Sequence, residues 1–268
     1  MAMYTNNYNE PSFQINEDIC RSNIRKMAEK ARANQLIFRP HFKTHQSLAV
    51  GEWFRDEGVA AITVSSVKMA RFFADGGWKD ITIAFPANIL QFDEISKLAS
   101  EIRLNLLFDM KEQAAFFARN LRYKAGFYIK TDTGYHRSGV DPADTDTINH
   151  LLAEVSGSNL KFKGFLTHSG HTYHANDRDE ILAIHAHSSK ILSNLKQSYL
   201  PGYPEIITST GDTPSCSIGE KFAGIDEIRP GNFVFYDLMQ WKLGSCNYEE
   251  IAAAVVCPVI SVYPSRRE

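Results

Sequence analysis

The chain has 268 residues, 44% hydrophobic and 22% charged, the balance of an ordinary globular protein with room for one large α/β domain or two smaller ones. Its 29 basic and 31 acidic residues nearly cancel, and a formal net charge of -2 gives no electrostatic reason to expect nucleic acid or an anionic membrane as partner. The longest apolar run, from Ile251 to Ile260, contains Pro258 and is far too short to span a bilayer. The polar start from Met1 to Asn9 lacks the basic and apolar parts of a secretory signal, so a cytoplasmic protein is expected. Cys20, Cys216, Cys246 and Cys257 show no C-x-x-C spacing, which argues against a zinc ribbon or a thioredoxin-like motif and for reduced thiols.

Asn16 can cap a first helix that runs through Ile19, Ile24, Met27, Ala28 and Ala31. Eight short β-rich runs follow, at residues 36–40, 61–65, 80–85, 103–108, 126–130, 162–167, 205–209 and 227–236. Most of the steps between them are roughly twenty-odd residues, which suits a strand, a helix and two loops. In the segment from Asn88 to Leu98, Leu90, Ile95 and Leu98 fall near one helical face. Asp141-Pro142 reads as an N-cap with proline at the first helical position. Regular β-α alternation implies a parallel sheet, and eight units imply closure into an α/β (β/α)8 TIM-type barrel, whose usual length is about 250 residues. An open doubly wound sheet would call for a glycine-rich dinucleotide turn after the first strand, and none stands there. The barrel accounts for residues 1–240. The segment 241–268 reads as the start of a truncated C-terminal β domain; its β-rich run cannot bury itself, and can also add to the barrel or pair with another chain.

In such a barrel, function sits where strands end and loops begin. Lys43 follows the first strand, hemmed in by Arg39, His41 and His45. Neighbouring cations and burial disfavour an ammonium, so this amine can be neutral near pH 7 and condense with an aldehyde; a surface lysine beside a strand end is the plain alternative. Ser65 and Ser66 follow the second strand, Asp109 the fourth, Thr131 to Gly139 the fifth and Thr167 to His174 the sixth. The segment from Ser209 to Ser215 is a candidate phosphate cradle, being rich in hydroxyls, containing Gly211 and following strand seven. The alternative is a polar turn capping a helix that starts near Pro214. Asp212 could serve a phosphate only through its backbone N–H. His168, His171 and His174 would share a face only in a helix, and this stretch leaves a strand, so no metal ligands are expected. His185 and His187, two apart in a helix, point in different directions and read as surface or packing residues. Ser65 to Lys68 matches S-x-x-K without its companion motifs, and G-x-S-x-G and Walker A patterns are absent.

Arg39-Pro40-His41-Phe42-Lys43-Thr44-His45 resembles the pyridoxal-phosphate lysine motif of the D-threonine aldolase and D-serine dehydratase family, which belongs with alanine racemase in the fold-type III class. Asp132-Thr133-Gly134-Tyr135-His136-Arg137-Ser138-Gly139 resembles the segment that carries an active-site arginine in alanine racemases, and Arg229-Pro230-Gly231 their strand-eight motif. Gly170 to His174 and Gly211 to Pro214 look like the family's pyridine-side and phosphate-side loops. The resemblance implies that Lys43 holds pyridoxal 5'-phosphate covalently and, once released, moves the substrate α-proton. It places His168 near the ring face, Arg137 at the cofactor oxygen or the substrate carboxylate, and Thr210, Gly211, Asp212, Thr213, Gly231 and Asn232 at the phosphate. Tyr173 would meet the pyridine nitrogen, with Arg229 as the alternative. Lys43, His45, Arg137 and His168 form the expected catalytic set. The activity implied is a lyase acting on a β-hydroxy D-amino acid, with an amino-acid racemase or a non-enzymatic pyridoxal-phosphate carrier as alternatives, and a homodimer is the expected assembly. Members of the family continue into a β domain whose metal-binding pair polarises the substrate β-hydroxyl. No residue of this chain can be assigned to that divalent metal.

Overall fold

A computed structural model describes residues 8–263. The described chain opens with β1 (Ser12–Ile15) and α1 (Glu17–Ala33). Then come β2 (Ile37–Phe38), α2 (Leu48–Asp56), β3 (Ile62–Val64), α3 (Val67–Asp75), β4 (Asp80–Pro86), α4 (Phe92–Glu101), β5 (Arg103–Phe108) and α5 (Lys111–Asn120). The second half continues with β6 (Ala125–Lys130), α6 (Thr145–Glu154), β7 (Leu160–Leu166), α7 (Arg178–Tyr199), β8 (Ile207–Thr210), α8 (Thr213–Ile218) and β9 (Glu227–Ile228), and ends with α9 (Leu238–Lys242) and β10 (Ala253–Val256).

All eight expected strands form one parallel sheet in the order β2-β9-β8-β7-β6-β5-β4-β3. The sheet closes on itself past the end of β2. There His41 pairs with Thr63 of β3, Phe42 N donates to Thr63 O at 2.9 Å, and Thr63 N donates to Pro40 O at 2.9 Å. The expected (β/α)8 barrel is therefore present. Its strands are buried on both faces, as in β5, where Leu104 to Phe108 are all buried. The helices cover the outside with apolar stripes. In α1 the Asn16 side chain accepts from Ile19 N at 3.1 Å, and Cys20, Ile24, Met27, Ala28 and Ala31 face the core. Inside the barrel lie Leu107, Tyr128 and Leu166, and a buried ion pair in which Arg39 Nε donates to Glu227 Oε2 at 2.6 Å and Nη1 to Asp80 Oδ1 at 2.5 Å. Asp80 and Glu227 belong to strands that are not neighbours in the sheet, so Arg39 spans the barrel interior.

At one point the register depends on a glycine. Between β6 and β7 the pairing shifts from Phe127↔Phe162 to Tyr128↔Gly164. Gly164 there has φ +120°, and a Cβ on it would lie 1.9 Å from Ile207 O.

Four details differ from the sequence expectation. The eighth run is a strand only at Glu227–Ile228, because Pro230 has no N–H to continue the ladder and the chain bends into a 3-10 turn at Asn232–Val234. The cap of α6 is Asp144, which accepts from Thr147 N at 3.0 Å, whereas Asp141 accepts from Ala143 N in the preceding turn. Leu90 sits in a 3-10 turn and is 93% exposed, while Ile95 and Leu98 are buried in α4. The C-terminal β run does not join the barrel sheet. Residues Ala253–Val256 pair antiparallel with Ser12–Ile15, a strand the sequence reading did not pick out. This ribbon is tied to the barrel by Ala252 N, which donates to Phe235 O at 2.7 Å. The four cysteines are free, and no described helix is long and apolar enough to cross a membrane.

Candidate active site

A cavity of about 490 Å³ opens at the C-terminal ends of the strands, within the usual range for a small-molecule site. It brings together Lys43 and His41 from the turn after β2, Arg137 from the loop after β6, His168 and Tyr173 from the segment after β7, Gly211 and Asp212 after β8, and Arg229, Gly231 and Asn232 after β9. Thr210 and Thr213 flank Gly211 and Asp212 but are buried and do not line the cavity. His45 does not line it either. Its ring lies 4.4 Å from that of Phe42 and stacks on Phe54 at 5.6 Å, Nδ1 accepts from Ser47 N at 3.1 Å, and burial pushes its pKa down to about 4. The turn at residues 42–45 sends Lys43 to the cavity and His45 to the aromatic core.

The Lys43 amine has a lowered pKa, first because the cavity walls desolvate it and then because Arg137 and Arg229 repel its ammonium form. The side chain is exposed to the open cavity, whose water screens part of that effect. Arg39, one of the cations expected to act on it, is instead spent on Asp80 and Glu227: burial alone would lower its pKa, but those two carboxylates hold it above the usual arginine value. His41 is held neutral by burial and by Lys43, Arg229 and His168 around it.

Arg137 rides on a loop necked by Asp132 N donating to Val140 O and Val140 N donating to Lys130 O. Asp132 Oδ1 accepts from the backbone of both Gly134 and His136, which folds the loop tightly. Gly139 has φ +117°, and a Cβ on it would lie 2.8 Å from Asp132 N. The Arg137 guanidinium lies 5.1 Å from the Tyr135 ring centre, and Tyr135 stacks in turn on His171. Lys130, which the sequence reading passed over, also lines the cavity. It ends β6 immediately before the Asp132–Gly139 motif, is 5% exposed, donates to Ser138 O at 3.1 Å, and has its pKa pushed down to about 8 by burial, Arg229 and Arg137.

His168 Nδ1 donates to Gly211 O at 2.5 Å, which fixes the tautomer and leaves Nε2 unprotonated. Burial lowers its pKa to about 3 against the opposing effect of that carbonyl, and Lys43, Arg137 and Arg229 lower it further. The Tyr173 hydroxyl accepts from Thr213 N at 3.2 Å, and burial pushes its pKa up to about 12, so it is a neutral phenol whose own proton is free to be donated. Asp212 is the cap of α8. Its Oδ1 accepts from Ser215 N at 2.7 Å and from Thr172 Oγ1 at 2.9 Å. Burial raises its pKa, and these bonds tie its carboxylate to the start of the helix and to the 3-10 turn that carries Tyr173. The Ser209 to Ser215 segment is thus a polar capping turn, and it also lines the cavity through Gly211 and Asp212. Gly211 and Gly231 are sites of close approach. A Cβ on Gly211 would lie 2.8 Å from the Arg229 backbone, and one on Gly231 would lie 2.9 Å from His41 O. Lys30 of α1 closes the far end of α8, its Nζ donating to Cys216 O at 3.1 Å, Ser217 O at 2.5 Å and Gly219 O at 3.0 Å. Of the other histidines, His185 is buried edge-on to Phe222 and His187 is exposed on α7. Among the described residues no group of three His, Cys, Asp or Glu side chains is placed to hold a metal ion.

The cavity can therefore hold an anionic, aldehyde-bearing ligand: one amine of lowered pKa, several cations, and neutral imidazoles at its walls. Comparison with known proteins agrees with the resemblance drawn from the Lys43 motif. The chain is 31% identical to a D-serine dehydratase of Dictyostelium discoideum, over 98% of this chain and 72% of that protein. It is 29% identical to a D-threo-3-hydroxyaspartate dehydratase of Delftia sp. strain HT23, over 93% of this chain and 67% of that protein. The solved structure of the Delftia enzyme superposes with a TM-score of 0.87 at 28% identity, covering 93% of this chain and 67% of that one. A D-threonine aldolase from Filomicrobium marinum shares the fold, with a TM-score of 0.80 at 21% identity over 87% of this chain and 64% of that one. The family model of the alanine racemase N-terminal domain matches residues 15–238, nearly the whole barrel, and the chain belongs to that family.

Proposed function

We propose that this barrel is the pyridoxal-phosphate-binding part of a lyase acting on a β-hydroxy D-amino acid, of the D-serine dehydratase or D-threonine aldolase type. The observation that carries the proposal is Lys43: an amine of lowered pKa facing a cavity that also presents Arg137, His168, Tyr173 and Arg229. The residues present fit the cofactor. The cavity is of a suitable size, Lys43 could bond its aldehyde, and Gly211, Asp212, Gly231 and Asn232, which line the cavity, would hold its phosphate with Thr210 and Thr213 behind them. Beside that turn the buried Thr213 Oγ1 and Ser215 Oγ have no hydrogen-bond partner among the described residues, as expected beside an anion site. Bound pyridoxal phosphate supplies an electron sink for negative charge at the substrate α-carbon.

The chain's own residues divide the remaining work. Lys43 would hold the cofactor through its amine and, as a neutral base, would take the substrate α-proton. His168, a neutral imidazole locked by Gly211 O, would pack beside the bound cofactor. Arg137 binds a carboxylate at the cavity rim. Tyr173 and Arg229 are the two donors available to the ring nitrogen, and neither is a carboxylate that would enforce ring protonation. The described residues offer no metal site, so no step is assigned to a divalent ion.

Two measurements test the proposal. Added pyridoxal phosphate should give a yellow band in the parent and none in a Lys43→Ala variant. D-serine should then give pyruvate and ammonia, or D-threonine glycine and acetaldehyde. Racemisation of the amino acid without those products would replace the lyase by a racemase on the same barrel, and no band in the parent would sink the proposal. A homodimer is proposed as the assembly, on the ground that the β1–β10 ribbon leaves Phe13, Ile15 and Val255 exposed; light scattering at high concentration that shows only monomer would refute it.

A further inference from the structure

Arg229 is 4% exposed, and its surroundings hold it more firmly than lining a cavity requires. Its Nε donates to Ser209 Oγ at 2.7 Å, and its Nη2 donates to Thr167 O. The Ser209 hydroxyl is also 2.6 Å from Glu227 Oε1, and Glu227 is wholly buried. Arginine has no acceptor, so Ser209 Oγ must accept from Arg229 and spend its single proton on Glu227. The direction of the chain is therefore forced: Arg229 to Ser209 to Glu227. The second oxygen of Glu227 accepts from Arg39 Nε at 2.6 Å. Two arginines thus share one buried carboxylate, with Asp80 balancing Arg39 on the far side. The edge of the guanidinium left over is Nη1, which makes no hydrogen bond among the described residues while Arg229 lines the cavity.

We propose that Glu227, acting through the Ser209 hydroxyl, is a positioning residue for Arg229, locking the guanidinium so that its Nη1 edge faces the cavity as a fixed donor. The acceptor is an anionic or heteroaromatic atom of the bound ligand, and naming that ligand as pyridoxal phosphate rests on the function proposed above. A lysine at 229 could not reproduce the arrangement, since a single ammonium cannot span Ser209, Thr167 and the cavity in one plane.

The test starts from the cofactor-free protein, labelled with nitrogen-15. The Arg229 Hε resonance, assigned by its disappearance in Arg229→Lys, should exchange slowly with solvent. Ser209→Ala should speed that exchange by about tenfold or more while Arg39 Hε stays protected, and Ser209→Thr, which keeps a hydroxyl on the strand, should restore it. Thr82→Ala serves as the control. It removes an equally buried hydroxyl, one that accepts from Asn105 Nδ2 at 3.2 Å, and should leave Arg229 unchanged. Pyridoxal phosphate should bind Ser209→Ala at least about tenfold more weakly than it binds the parent or Thr82→Ala. An unprotected Arg229 Hε in the parent, exchange that ignores Ser209→Ala, or equal weakening by Ser209→Ala and Thr82→Ala would each overturn the proposal. A parent that shows the slow exchange yet binds no pyridoxal phosphate would leave the lock in place and refute the function proposed above.

Discussion

Lys130 gives the prediction with the best-defined magnitude. It lines the cavity with Arg137 and Arg229, is 5% exposed, and among the described residues has a single acceptor, Ser138 O. Its pKa falls from 10.5 to about 8, so its ammonium form is penalised in the fold by about 3 kcal/mol. At pH 7 the lysine is charged in both the folded and the unfolded chain, and the fold carries the whole penalty. Lys130→Met removes it and loses one hydrogen bond of about 1 kcal/mol. The cofactor-free variant should therefore be more stable than the parent by about 1–2 kcal/mol near pH 7. Between pH 8 and 10.5 the unfolded lysine holds its proton while the folded one has released it, so the parent gains stability as pH rises through that window. The variant lacks that gain. Urea denaturation from pH 6.5 to 10.5 should show the two stability curves converging and then crossing as pH rises. Parallel curves would mean that Lys130 titrates normally, and the account of its burial near two arginines would be wrong.

The acid side follows the same logic with histidines. His45 and His168 have folded pKa values of about 4 and about 3 against 6.5, so their stabilising contribution is complete above pH 6.5 and is lost as pH falls toward those values. His45→Phe should flatten that acid loss measurably in chemical denaturation, and an unchanged acid limb would refute the assignment. Gly164→Ala should cost about 3 kcal/mol or more, because its Cβ would meet Ile207 O at 1.9 Å at a φ of +120°. A melting temperature within about 2 °C of the parent would show that the bulge relaxes freely. Lys30→Met should cost about 2 kcal/mol and speed amide exchange in α8, since three carbonyls lose their shared donor.

The sequence showed the barrel plainly because parallel strands are buried on both faces and so stand out as short β-rich runs between amphipathic helices. All eight were placed, and the errors fell where local pattern was weak. β1 is four residues with alternating exposure, and only its pairing with Ala253–Val256 makes it a strand. Asp141 and Asp144 are equally good caps by type, and the choice is made by the helix that buries Ile148, Leu151 and Leu152.

The site was legible to a different extent. Lys43, Arg137, His168 and Arg229 come from four separate strand ends, and each sits in a polar motif that no core strand would carry. Lys130, Ser209 and Glu227 lie within strands, where a polar letter is uninformative until its partner across the barrel is known. His45 shows the reverse error. It lies two residues from Lys43, and the turn at 42–45 separates them, one into the cavity and one against Phe42 and Phe54. Nearness along the chain overstated its part in the site, while Glu227 is 188 residues from Arg39 and bonded to it. In a barrel the chemistry is assembled across strands. The residues most at risk of being missed are therefore buried polar ones whose partners are distant in sequence, and Glu227, bonded to Arg39 and to Ser209, is one of these.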